Sequence, residues 1–470
     1  MYASISKALE FQNFQAQLSQ SPLLSAYTEF ISYTLLSTEI LIAITLAIPK
    51  TRTIALYTSF AIMIMFTAYI VIILNYSSFI PCSCGGILEK LGWKEHLIFN
   101  CGVAVLTATA CLSITKKTFN TSIRLIILAL TSITIVIIMY LLSEKKIHQE
   151  NPFIRRFIQG TATKTNAVNL NSNSLYFAGT EGNTIYLGDN LAPLHIVSYD
   201  TTLKIKRHYK IQLEREDFTF QNVQVRITAP YFFLMDGTVP VIYRGLITDW
   251  KAKIIMVNNN YFFSKAEIIA PNKIVFRAQE IKTLNNVLGT FTFNEKLQVD
   301  YAPTLLQKQV DGFFDTDGML HFNKQLQKIV YTYFYRNQFI VADKNLKLNH
   351  RGKTIDTISK ANIKVVFIKE TRQRKLASIP TTVNQVTAVS GDLLFIKSNL
   401  LGRFEPKEMW KEAAIIDIYN MSKNSYLSSI YIYKINKTSV QDIAIIDNNL
   451  FAIIGHQLHK YHLSNKIIPK

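Results

Sequence analysis

Residues 53–75 read TIALYTSFAIMIMFTAYIVIILN, twenty-three positions without a charged side chain. A helix rises about 1.5 Å per residue, so this run is long enough to cross the roughly 30 Å hydrocarbon core of a bilayer. Leu97–Thr115 and Leu125–Ser143 are two more uncharged runs, each of 19 residues. Ile31–Pro49 is another 19, broken only by Glu39. So many apolar helices packed so closely in sequence exceed what a soluble domain of that size can hide. The chain is therefore expected to cross a membrane with helices near 31–49, 53–75, 97–115 and 122–143. None is a cleavable signal peptide, because the first begins late and no small-residue cleavage site follows. Before it, Phe11, Phe14, Leu18 and Leu23 share one stripe at helical spacing, which suits a helix lying along the membrane surface.

The average composition conceals a division. The 470 residues are 49% apolar and 18% charged, with a mean hydropathy of +0.15. Soluble domains carry about 25% charge, and this apolar content excludes a disordered or collagenous chain. Four cysteines exclude a disulfide-scaffolded secreted domain. Residues 1–150 hold 10 Lys+Arg and 7 Asp+Glu, whereas 151–470 hold 41 and 25, so most of the net +19 lies in the second part. Lys50, Arg52, Lys116, Lys117 and Arg124 crowd one side of the expected membrane, in short turns without acidic residues. Lys7, Lys90, Lys94, Lys145, Lys146, Arg155 and Arg156 fall on the other. The two tight basic turns suit the cytoplasmic side. The loop at 76–96 and the C-terminal region are then expected outside the cytoplasm.

From about residue 160 the pattern changes. Short β-branched and aromatic runs recur, divided by Gly, Asp and Asn turns. They include Ser174–Gly188, Ala229–Gly245, Asn272–Gly289, Asp311–Asn323, Asn337–His350, Gly391–Leu401 and Asn448–Leu463. Each resembles strand, turn, strand. Propeller blades occupy roughly 40–50 residues of four strands, so a propeller of six or seven blades is expected, with a pair of β-sandwiches as the competing architecture. Signatures of nucleic-acid binding are missing; a dispersed basic surface beside a bilayer suits lipid headgroups or an acidic partner.

Pro81-Cys82-Ser83-Cys84-Gly85-Gly86 is the sharpest chemical feature. All four cysteines lie within 82–111. A Cys-x-Cys pair can close a small, strained disulfide, and strained or exposed disulfides are the readily exchanged ones. Lys90, Lys94 and His96 nearby favour the thiolate, which is the reactive form. A structural disulfide, a metal site and inert thiols remain open alternatives. Cys101 starts about one turn from this loop, as a candidate resolving thiol. Cys101 and Cys111 sit roughly 15 Å apart on one helix, too far for a mutual disulfide. Glu39 is the one carboxylate within the expected spans, and such a group is a functional candidate; Tyr69 is a candidate partner, and a purely structural helix–helix link is the plainer role. Asp311, Asp315 and Asp317 lack calcium-loop spacing and are expected in Asp-Gly hairpin turns. His456, His459 and His462 alternate faces on a strand and are expected on a blade surface.

Ser21-Pro22-Leu23-Leu24, Thr38–Ala43, Leu56-Tyr57, Phe66–Ile70, Pro81–Leu88, Leu91-Gly92-Trp93 and His96–Asn100 together resemble the MauE/DoxX family of redox-associated membrane proteins, in the variant found in Bacteroidetes. The resemblance covers about 5–143; the paired-cysteine loop followed by Leu-Gly-Trp is its most specific part. It implies an inner-membrane helical bundle with periplasmic thiol–disulfide chemistry carried by Cys82 and Cys84. Family members usually begin with a further transmembrane helix, and Met1–Lys7 resembles that helix's tail. The β region lies outside the resemblance.

The combined expectation is an α + β two-part membrane protein. Residues 1–145 form the bundle, 146–165 a linker and 166–470 a periplasmic propeller. Cys82 and Cys84 exchange disulfides with an exported protein held by the propeller, with a quinone as a candidate electron acceptor. The alternative is a non-enzymatic, membrane-tethered scaffold or receptor with structural cysteines.

Overall fold

The computed structural model of the chain describes residues 2–9, 11, 14–15, 18, 23–24, 27–76, 92–115, 118–147, 153–158, 160–368, 373–402, 405 and 407–464. They divide into two compact units, Met1–Gln149 with Ile363–Thr381, and Glu150–Asn362 with Thr382–Lys470.

The first unit holds α1 (Tyr2–Leu9), α2 (Thr28–Ala47), α3 (Arg52–Tyr76), α4 (Trp93–Ile114) and α5 (Thr118–Ile147). Helices α2 to α5 are each long and apolar enough to cross a membrane, as expected. Two of their threonine hydroxyls show how a polar group is carried there. Thr67 donates to the Met63 carbonyl at 2.7 Å and Thr107 to Val103 at 3.0 Å, so each is satisfied within its own helix, as a bilayer requires. Tyr69, Ile70 and Ile73 of α3 pack with Val136 of α5, and Phe60 packs with Ala104, Cys111 and Leu125. Leu41, Val105 and Leu130 point outward and are exposed, which suits a lipid-facing surface. The same unit includes a hairpin, Val365–Ile368 paired with Gln373–Leu376.

The second unit is a propeller of six blades, fixing the expected six or seven at six. Blade 1 spans 175–210, blade 2 uses 212–257, blade 3 265–302, blade 4 318–353 and blade 5 384–433. Blade 6 joins 440–463 to Ala162–Asn169, whose partners run from Leu463 to Gln457. The first strand thus closes the ring against the last and covers an edge that would otherwise invite pairing. Seven sequence repeats make only six blades because Asn337–His350 and Asp311–Asn323 both belong to blade 4. Residues 311–317 form the loop that enters this blade. The aspartates there do not sit in a hairpin turn, correcting that expectation. Asp315 accepts backbone N–H groups of Val310 at 3.2 Å and Gly312 at 2.6 Å, and Asp311 accepts that of Phe314 at 3.0 Å.

Six apolar cores, one between each neighbouring pair of blades, join the ring. The run Tyr231–Asp236 shows how. Successive strand residues face opposite sides. Phe232 and Leu234 enter the core shared with blade 1, and Phe233 and Met235 the core shared with blade 3. A strand buried on both faces needs an unbroken apolar run, which is what the sequence provides.

Candidate functional site

Cys82 and Cys84 lie outside the described residues. Cys101 is exposed on α4, and Cys111 is buried against Phe60, Ala104 and Leu125. Glu39 is paired with α1 rather than Tyr69. Lys7 Nζ donates to its Oε1 at 2.6 Å, and Ser4 Oγ to its Oε2 at 3.2 Å. Neutralising a carboxylate near a span with one cation is the usual condition for keeping it there, and the pair fastens the N-terminal helix to the first span. Phe14, Leu18 and Leu23 are buried as well.

Arg155 is the strongest ionic feature that sequence reasoning missed. With Arg156 it reads in sequence as juxtamembrane charge, yet its side chain is fully buried. Nε and Nη2 donate to Asp417 at 2.7 and 3.1 Å, and Nη1 to both oxygens of Glu405 at 2.7 and 2.9 Å. Nη1 also donates to the Leu400 carbonyl and Nη2 to Ser398 Oγ. Beside it Phe157 stacks on Tyr431 with centroids 4.2 Å apart, and Ser429 N–H donates to the Arg156 carbonyl at 2.8 Å. The segment expected as linker is, over 153–158, docked on blade 5.

The other concentration of polar groups lies on the propeller axis. The six inner strands surround a cavity of about 380 Å³. Inward-facing groups link blades in pairs. Arg226 Nε of blade 2 donates to Glu267 Oε1 of blade 3 at 2.8 Å. His321 Nε2 of blade 4 and Thr387 Oγ1 of blade 5 are 2.8 Å apart. The Phe177 N–H of blade 1 donates to Asp442 Oδ2 of blade 6 at 2.9 Å. Burial pushes the Asp442 carboxyl up to about 6 and the His321 imidazole down. At the rim, Lys324 Nζ of blade 4 meets Glu181 Oε2 of blade 1 at 3.5 Å. Blades 1 and 4 are opposite in a ring of six, so this ion pair spans the mouth. No sequence signal singled out these residues, since each is an isolated polar position in a different strand.

The three late histidines separate as alternation requires, but only two are on the surface. His456 and His462 are exposed, whereas His459 is buried, 2.8 Å from Gln457 Oε1. Burial holds the His459 imidazole down at about 4. The folded ring therefore stays neutral while an unfolded one, with its ordinary value near 6.5, takes a proton. Its contribution is intact above about pH 6.5 and is lost as pH falls toward 4. His459→Gln is expected to flatten the decline in propeller melting temperature between pH 6.5 and 4. Parallel slopes in thermal melts across that range would refute the assignment.

No curated protein sequence matches the chain. Among solved structures, a DUF4221-family member from Bacteroides vulgatus is 10% identical over 67% of this chain and 97% of its own, with a TM-score of 0.41. BamB from Moraxella catarrhalis is 8% identical over 64% and 98%, with a TM-score of 0.34. Residues 1–115, which carry the first three spans and the paired-cysteine loop, match the family model of the methylamine utilisation protein MauE.

Proposed function

We propose that this multi-pass membrane protein exchanges disulfides with an exported protein through Cys82 and Cys84 in the inner membrane, with the propeller in the periplasm recruiting that protein. The observation that carries the reading is the MauE match across residues 1–115, which includes both cysteines. A Cys82–Cys84 disulfide accepts attack by a thiolate of the partner. One cysteine sulfur leaves as thiolate and a mixed disulfide forms. The partner's second thiolate then attacks its own sulfur in that bond, leaving the partner oxidised by two electrons and Cys82 and Cys84 reduced. A quinone accepting two electrons and two protons would restore the pair. Positive charge at Lys90 and Lys94, close in sequence, favours the leaving thiolate.

Cys84→Ala tests this. In this variant Cys82 has no internal disulfide; its thiolate attacks the disulfide of the oxidised partner, the last step run in reverse, and no Cys84 thiol is present to displace the partner from Cys82. An adduct through Cys82 is expected, released by reductant and absent from the Cys82→Ala, Cys84→Ala double variant. Labelling by a membrane-impermeant maleimide should reach Cys82 from the periplasmic side. If no adduct forms while the chain still folds and holds its partner, the cysteines are structural and the chain is a tethered scaffold. Labelling from the cytoplasmic side alone would also overturn the proposal.

A further inference from the structure

The propeller cavity has a charge arrangement that its own side chains do not complete. Five charged side chains line it: Glu181, Arg226, Glu267, Lys324 and Asp442. Two ion pairs, Arg226–Glu267 and Lys324–Glu181, account for four of them. Asp442 accepts the backbone N–H groups of Phe177 and Ile443, each at 2.9 Å, and has no ion-pair partner among the described residues. Desolvated carboxylates without a cation are costly. Arg226, with only blade 1 between its blade and that of Asp442 and near enough for its charge to act on that carboxylate, uses Nε for Glu267 and Nη1 for its neighbour's Val225 carbonyl at 3.3 Å. Its Nη2 has no partner among the described residues. Asp442 therefore has no cation in hydrogen-bonding contact, and Arg226 has a guanidinium edge to offer.

We propose that this chamber binds a small zwitterion, its ammonium on Asp442 and its carboxylate on the open edge of Arg226. An arginine can serve two carboxylates at once, as Arg155 does with Asp417 and Glu405 in this same protein. The cavity volume falls within the roughly 300–1,000 Å³ range of small-molecule pockets. The Glu181–Lys324 pair lies across the way in. Both side chains are nearly half exposed, 47% and 44%, and exposed pairs are weak. A ligand can part them readily, so the pair acts as a light latch. The binding does not depend on the cysteine chemistry.

The test is calorimetric titration of the full-length chain in detergent with glycine, 4-aminobutyrate and 6-aminohexanoate, beside butylamine and butyrate. One amino acid, chosen by its length, should bind at least tenfold tighter than both single-function probes. Asp442→Asn and Arg226→Gln should each weaken it at least tenfold, and Lys324→Ala should speed its association. Should either cavity variant fail to fold, carbodiimide labelling of wild-type Asp442 supplies the reading, and the bound amino acid should protect it. Butylamine or butyrate matching the best amino acid, no probe binding, folded variants with unchanged affinity, or unprotected Asp442 would each overturn the assignment.

Discussion

Arg155→Met should destabilise the propeller by about 3–5 kcal/mol, the usual loss when one partner of a buried ion network is removed. The size follows from what is left behind. Asp417 and Glu405 side chains are 3% and 6% exposed, so water cannot replace the guanidinium. Burial already pushes the Asp417 carboxyl up despite the neighbouring cation. Ser398 Oγ and the Leu400 carbonyl lose a donor in the same step. Arg155→Lys should fall between, because an ammonium keeps the charge but cannot reproduce the planar fork. Adding Asp417→Asn and Glu405→Gln to Arg155→Met should recover part of the loss, since neutral groups cost less to bury. Urea unfolding of the full-length chain in detergent, followed by near-ultraviolet circular dichroism of the blade aromatics, reads the shift in midpoint. A midpoint unchanged in Arg155→Met would mean that the segment at 153–158 is not docked on blade 5.

The second large effect belongs to Phe291→Ala, again about 3–5 kcal/mol, from lost transfer energy and the cavity left behind. Phe291 is fully buried and stacks on Phe276 with centroids 3.9 Å apart, while Phe263 meets it nearly edge-on at 5.9 Å. The neighbouring strand cannot collapse into the space. Gly289 is there because the Phe276 ring occupies its side-chain position; an added Cβ would lie 2.5 Å from that ring. Phe291→Leu should cost roughly 1–2 kcal/mol, by keeping most of the volume. Phe262→Ala is the control, because that ring is 56% exposed, and its loss should shift stability by less than about 0.5 kcal/mol. Equal midpoints for Phe291→Ala and Phe262→Ala in the same urea series would contradict this packing.

These residues show why some features were legible and others were not. Phe291 belongs to a β-branched and aromatic run that announces a strand. Arg155 shows nothing locally: its partners lie 262 and 250 residues away, and a dibasic pair after an apolar helix suggests surface charge. Glu39 was identifiable as costly, but its partner was not, because Lys7 reaches it across 32 residues. The choice between six and seven blades stayed open for a related reason. Asp311–Asn323 carries the composition of a strand and turn, yet Asp311 and Asp315 spend their carboxylates on loop N–H groups instead of on a hairpin.

Local chemistry alone determined the four spans, since an uncharged run of helical length has one stable environment and needs no distant residue to choose it. It also determined the all-β character of the second part, because apolar strand runs bounded by turn residues select extended backbone wherever they end up. Ring closure by Ala162–Asn169, the burial of Arg155 and the grouping of Arg226, Glu267, His321 and Asp442 around one axis were decided only by the tertiary structure. Each joins residues far apart in the chain. Pairing energy and desolvation depend on distance in space, and separation along the chain carries no record of that distance until the sixth blade shuts.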